Sequence, residues 1–237
     1  MCTVPATPEA KPASTPAETA PLVIAIDGPS GSGKSSTSRG VAQRLGLGYL
    51  DTGAMYRAMA WLVRDRGVDT DDADAVVALV RSAVLDVSTD PTEPRFAVDG
   101  TDVTAAIREP EISARVSRVA TIQPVRDELI DRQRAIIAAA GTGIVAEGRD
   151  ITTVVAPDAT VRVLLVADPQ ARVSRRQQEL GHGVDSAAVT DQVLRRDRDD
   201  STVAAFTEAA PGVTVVDSTE LSLEQVIDTI CRLADQP

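Results

Sequence analysis

Apolar residues follow two rhythms along the chain. Short β-rich runs at Val23 to Ile26, Gly48 to Leu50, Ile144 to Ala146, Val161 to Val166 and Val213 to Val216 alternate with longer stretches whose apolar positions recur at helical spacing. Those stretches are Lys34 to Leu45, Ala54 to Arg66, Val125 to Ala139, Pro169 to Leu180, Ala187 to Asp197 and Leu223 to Leu233. The last is opened by Ser222 and Gln225 at capping-box spacing. Strands that alternate with helices predict an α/β fold, a five-stranded parallel sheet with helices on both faces. Between Asp71 and Thr104 the rhythm breaks. A helix-like stretch is followed by Val84 to Ser88, Arg95 to Val98 and an Asp99-Gly100 turn, which predicts a small antiparallel insertion in place of another strand-helix unit. No internal repeat is visible.

Composition narrows the class. The first 20 residues carry Pro5, Pro8, Pro12 and Pro16 among Ala, Thr and Glu; without a basic start or an apolar centre they read as a disordered tail and not a secretory signal. Residues 21–237 are then one domain, and 43% hydrophobic residues suffice for its core. A net charge of −11 and a total of 1 Trp, 2 Tyr and 2 Phe disfavour a nucleic-acid partner, which calls for a basic face and stacking rings. Cys2 and Cys231 match no metal-ligand spacing, and a single histidine, His182, excludes a histidine-rich metal site and argues against a Ser-His-Asp triad. No apolar stretch approaches bilayer length. The reading is of a cytoplasmic protein, expected to be a monomer, with no membrane or nucleic-acid partner.

Where the first β-rich run ends, Gly28-Pro29-Ser30-Gly31-Ser32-Gly33-Lys34-Ser35 forms a complete G-x-x-x-x-G-K-[ST] loop, continued by Ser36. Its glycines let backbone N–H groups turn inward, and those groups with the following helix start cradle phosphate oxygens. Lys34 supplies a charge to the terminal phosphates and the Ser35 hydroxyl is the expected Mg²⁺ ligand. Of 24 basic residues only Lys11 and Lys34 are lysine. A compact ammonium on a flexible stem fits inside the loop where a planar guanidinium does not.

Neither lysine stands in an Asn-Lys-x-Asp element, so a guanine-specific switch protein is excluded, and the size and acidity argue against a nucleic-acid motor. A small-molecule kinase with ATP in the loop and a second phosphate site opposite remains. Three clusters support it. Asp51 to Arg57 follows the second run, at the strand edge where α/β sheets bind ligands, making Arg57 a candidate for an acceptor phosphate. Glu147-Gly148-Arg149-Asp150 follows the third; Glu147 stands where an acid holds Mg²⁺ through water, and Arg149 can clamp a phosphoryl group. Arg172, Arg175 and Arg176 share one helix face before Gly181-His182-Gly183, an arrangement suited to a lid.

From about Leu22 onwards, these clusters, together with Gly100 to Thr104, Ile107-Arg108 and Arg196-Asp197 leading to Asp200-Ser201-Thr202, resemble the bacterial-type cytidylate kinases. The resemblance implies the fold of the nucleoside-monophosphate kinases, with a core at residues 21–51, 141–168 and 204–237, a monophosphate-binding region with its insertion at 52–140, and a lid at 169–203. It implies transfer of the γ-phosphoryl of ATP, with Mg²⁺, to CMP or dCMP. Arg57 and Arg149 would hold the acceptor phosphate with Thr52 near the nucleoside; Ser117, Arg126 and Asp150 would read cytosine, and Arg196 and Asp200 would approach the ribose. Lys34, Arg149, Arg172 and Arg176 would carry catalysis. Other readings of the loop are a sugar-acid kinase or a non-catalytic ATP-binding regulator. The chain departs from the pattern at Val203, where an arginine is expected, and at Thr152, where glycine is common.

Overall fold

The computed structural model describes residues 21–180, 204, 206 and 208–236. The proline-rich tail, the stretch from Ala187 to Asp197, Arg196, Asp200 and Val203 lie outside the described residues. Five parallel strands form the core sheet: β1 (Val23–Asp27), β2 (Gly48–Asp51), β6 (Ile144–Gly148), β7 (Val161–Val166) and β8 (Thr214–Asp217), ordered β2-β6-β1-β7-β8. Side chains alternate across it. Ile24, Ile26, Val145, Val163 and Leu165 form one core with Val41 and Ala42 of α1 (Lys34–Leu45) and Val226, Ile227 and Ile230 of α7 (Leu223–Ala234). Ala25, Leu50, Ile144 and Ala146 turn the other way, against Met55, Met59 and Leu62 of α2 (Thr52–Asp65). The predicted sheet, covered on both faces, is the sheet observed.

The insertion also takes the predicted form, as a separate sheet of β3 (Leu85–Val87), β4 (Phe96–Val98) and β5 (Thr101–Asp102) in antiparallel order. Asp99 (φ 48°) and Gly100 (φ 79°) both adopt left-handed backbone at its tight turn, the requirement that an Asp-Gly pair meets most readily. Before it runs α3 (Ala73–Ser82), the helix-like stretch of the sequence, capped by Asp72, whose carboxylate accepts from Ala75 N.

Three elements were not legible. A 3₁₀ turn (Ala106–Arg108) leads into α4 (Pro110–Ala120), which starts on a proline at its first position and buries Ile112, Val116 and Val119. That spacing is helical, but the element is only 11 residues long and sits beside the insertion. α4 packs on α2, while α3 packs on α5 (Gln123–Ala139). The third is a π-helical turn (Ile151–Val155) directly after β6, for which local sequence carries no signal. The final helix before the undescribed stretch is α6 (Pro169–Leu180).

Candidate active site

The strands β1, β2 and β6 end side by side, and their loops build the site. After β1 the chain turns through Gly31 (φ 76°) and Gly33 (φ 89°) into α1, with Gly33 as a helix cap that offers no side-chain acceptor. The first N–H groups of α1 therefore face the loop without a capping side chain, the arrangement that binds anions. A Cβ at Gly28 would collide with the Leu165 carbonyl oxygen, and one at Gly31 would lie 2.7 Å from that of Arg172. Lys34 arches back so that Nζ donates to Pro29 O at 2.8 Å. The loop is braced from outside: Arg172 Nη1 donates to Ser30 O at 3.1 Å, and Ser218 Oγ to Ser32 O at 3.1 Å. Arg175 in turn donates to Ser218 Oγ and O.

An oxygen-rich corner lies beside the loop. Tyr49 Oη donates to Glu147 Oε1 at 2.5 Å, Ser35 lies beside both side chains, and Asp51 neighbours Glu147 across the β2–β6 register. Burial, then the Asp51 charge, push the Glu147 carboxyl up to about 7, against the opposing pull of Lys34 and the hydrogen bonds. Burial also pushes the Tyr49 phenol far up, with Glu147 adding to it. Oxygen donors with surplus negative charge suit a hard divalent cation, so the corner fits Mg²⁺ held by Ser35 and, through water, Glu147.

The opposite wall is built by α2, α4 and α5. Asp51 caps α2 by accepting from Ala54 N at 2.8 Å, and its other oxygen pairs with Arg57 Nη2 at 3.0 Å. Thr52 Oγ1 donates to Glu147 O at 2.7 Å. Arg126 and Asp150 form a buried ion pair, with the Arg126 guanidinium 5.9 Å above the Tyr56 ring. The Asp150 carboxyl is raised by burial, opposed chiefly by Arg126. Arg149 Nη1 donates to Gly28 O at 3.0 Å, and its guanidinium lies 4.3 Å over the Phe206 ring.

These walls enclose one cleft of about 490 Å³. Of the predicted residues it brings together Ser30, Gly31, Gly33, Lys34, Ser35, Ser36, Thr52, Arg57, Arg126, Glu147, Arg149, Asp150 and Arg176. Gly28, Pro29, Ser32 and Arg172 stand behind that lining, as loop backbone and brace. Ser117 is not in the lining either; Ser113, one turn earlier on α4 and buried, is. Sequence reasoning passed over Ser113, Arg39 and Tyr49 and gave no role to Arg108 and Tyr56, although both stand in the resembled motifs and both tyrosines of a chain with only 2 line this cleft. It also gave no role to Asp27, which heads the resembled loop motif and is 1% exposed.

Residues 24–236 match the sequence profile of the cytidylate kinases. The chain belongs to the cytidylate kinase family. It is 62% identical over 217 residues to a cytidylate kinase of Cutibacterium acnes, spanning 91% of this chain and 96% of that one. It is 45% identical over 222 residues to a cytidylate kinase of Streptomyces avermitilis, spanning 93% and 96%. Among solved structures, an uncharacterized protein from Eubacterium ventriosum shares the fold with a TM-score of 0.51 at 12% identity, over 91% of this chain and 99% of the other. Among the described residues, no helix of this cytidylate kinase family member is long and apolar enough to cross a membrane.

Proposed function

We propose that this enzyme transfers the γ-phosphoryl of ATP to CMP and dCMP, giving ADP and the nucleoside diphosphate, as a cytoplasmic monomer. The observation that carries the reading is that a phosphate loop and a buried Arg126–Asp150 pair line the same cleft. Cytosine offers acceptors at O2 and N3 and a donor amine at C4, which call for an arginine or hydroxyl and a carboxylate; uracil, with an oxygen at C4 and an N3–H, reverses that demand. On this reading Arg126 and Asp150 select the base, joined by Ser117. Arg57 exchanges Asp51 for the acceptor phosphate, which Arg149 also holds, and Thr52 lies near the nucleoside. Arg196 and Asp200 approach the ribose.

Gly28 to Ser36 bind the ATP phosphates. Lys34, Arg149 and Arg176 offset charge on the transferring group, and Arg172 acts through the loop it braces. Ser35 and, through water, Glu147 would hold Mg²⁺, which would supply positive charge to offset that of the ATP phosphates. Transfer is direct, so catalysis comes from positioning and preorganised charge. Coupled ADP release over CMP, dCMP, UMP, AMP and dTMP tests the proposal: CMP and dCMP should be the preferred acceptors. Failure of every pyrimidine monophosphate would favour a sugar-acid kinase, and ATP binding without acceptor-dependent ADP would favour a regulator.

A further inference from the structure

Asp27 closes β1, and nothing in the proposed mechanism uses it. The residue is 1% exposed, and its carboxylate accepts three hydrogen bonds: from Ile151 N at 2.9 Å on one oxygen, and from Thr152 N at 2.8 Å and Thr152 Oγ1 at 2.6 Å on the other. Burying a carboxylate is expensive unless its lone pairs are met, and here they are met by one short segment. That segment opens the π-helical turn, whose first N–H groups have no partner within the turn itself. Asp27 thus caps the turn from a neighbouring strand. Among the described residues the turn's own N-cap, Asp150, makes no side-chain cap bond; its carboxylate pairs with Arg126 instead.

The next residue along β1 completes the connection. Gly28 O accepts from Arg149 Nη1 at 3.0 Å, so Asp27 and Gly28 together grip residues 149, 151 and 152. Between those anchors lies Asp150, with φ −144° and ψ 23°, held at a backbone geometry between the strand and the turn. One end of this latch is the start of the ATP loop; the other carries Arg149 and Asp150. Thr152 supplies its only hydroxyl, at a position where the resembled pattern commonly has glycine.

We propose that Asp27 and Thr152 are positioning residues that fix the 149–152 segment against the ATP loop and so set affinity and base selectivity for the acceptor. The inference rests on the reading of Asp150 and Arg149 as acceptor ligands. Thr152→Val removes the hydroxyl with little change of shape, and Thr152→Ser keeps it. Binding of CMP and of a non-hydrolysable ATP analogue is measured separately by calorimetry, beside kcat/KM for CMP and UMP and the melting temperature. Thr152→Val should weaken CMP about tenfold and shrink the CMP-to-UMP preference by a similar factor, with the ATP analogue within about twofold of the parent, because a small misplacement of binding groups is enough for losses of this order. Thr152→Ser should restore both. Should Thr152→Val not fold, Thr152→Ala carries the same expectation. Unchanged CMP affinity and selectivity, even with a lower melting temperature, would overturn the proposal, as would equal weakening of the ATP analogue. Failure of the parent enzyme itself to bind CMP would instead count against the acceptor reading.

Discussion

At the scale of single residues, the site keeps buried carboxylates next to a place where phosphates must sit. Glu147 is 3% exposed, accepts a hydrogen bond from Tyr49 and lies beside Ser35, a set of oxygens that suits a divalent cation. Glu147→Gln keeps the shape and the Tyr49 contact but drops the charge. It should raise the Mg²⁺ concentration for half-maximal turnover by about ten- to a hundredfold, the usual cost of losing an outer-shell group. A Mg²⁺ titration of initial rates checks this, with CMP selectivity unaltered. Lys34 is the other charged residue at the loop, reaching back over Pro29. Lys34→Ala should lower kcat by at least about 10², since a preorganised charge on the transferring group is worth a few kcal/mol. Steady-state kinetics of the folded variant measures it. Both residues were legible in the sequence because chemistry restricts them: one lysine inside the loop of an arginine-rich chain, one acid after a strand. Asp27 was not, because its partners lie more than a hundred residues away.

At the scale of elements, local rules explain most of what could be read. The Ser222–Gln225 capping box is formed as the spacing predicts, with Gln225 N donating to Ser222 Oγ and Ser222 N to Gln225 Oε1. Other ends are fixed by distant groups, which sequence does not announce. Arg132 of α5 donates to the carbonyls of Val80, Arg81 and Ala83, satisfying the C-terminal end of α3 and placing a cation at its dipole. Arg132→Ala should cost about 1–2 kcal/mol, or roughly 2–8 °C in melting temperature for a chain of this size, read by thermal unfolding. The same dependence on context explains Ser113. Without a helix assigned to Pro110–Ala120, no face could be given to its serines, and the residue one turn nearer the cleft could not be told from Ser117.

At the scale of the molecule, two sides of the cleft meet at the carboxyl ends of three parallel strands: a phosphate loop from β1 and, facing it, the wall of α2, α4 and α5 to which the proposed function assigns the acceptor. The five-stranded parallel sheet and the phosphate loop after its first strand follow from alternating apolar runs and a motif at a strand end, whereas the strand order β2-β6-β1-β7-β8 is set by the fold. The long-range latch between Asp27 and the π-helical turn required the fold itself. The central claim is that the buried pair on the acceptor wall reads cytosine. Asp150→Ala tests it directly, through kcat/KM for CMP and for UMP measured well below the melting temperature, because Arg126 then lacks its buried partner. A hydrogen-bonding base site can discriminate by up to about 10⁴, so the CMP-to-UMP ratio should collapse by at least about a hundredfold in the variant. Equal losses for the two acceptors would contradict the account and leave Asp150 as scaffolding for the Arg149 phosphate site.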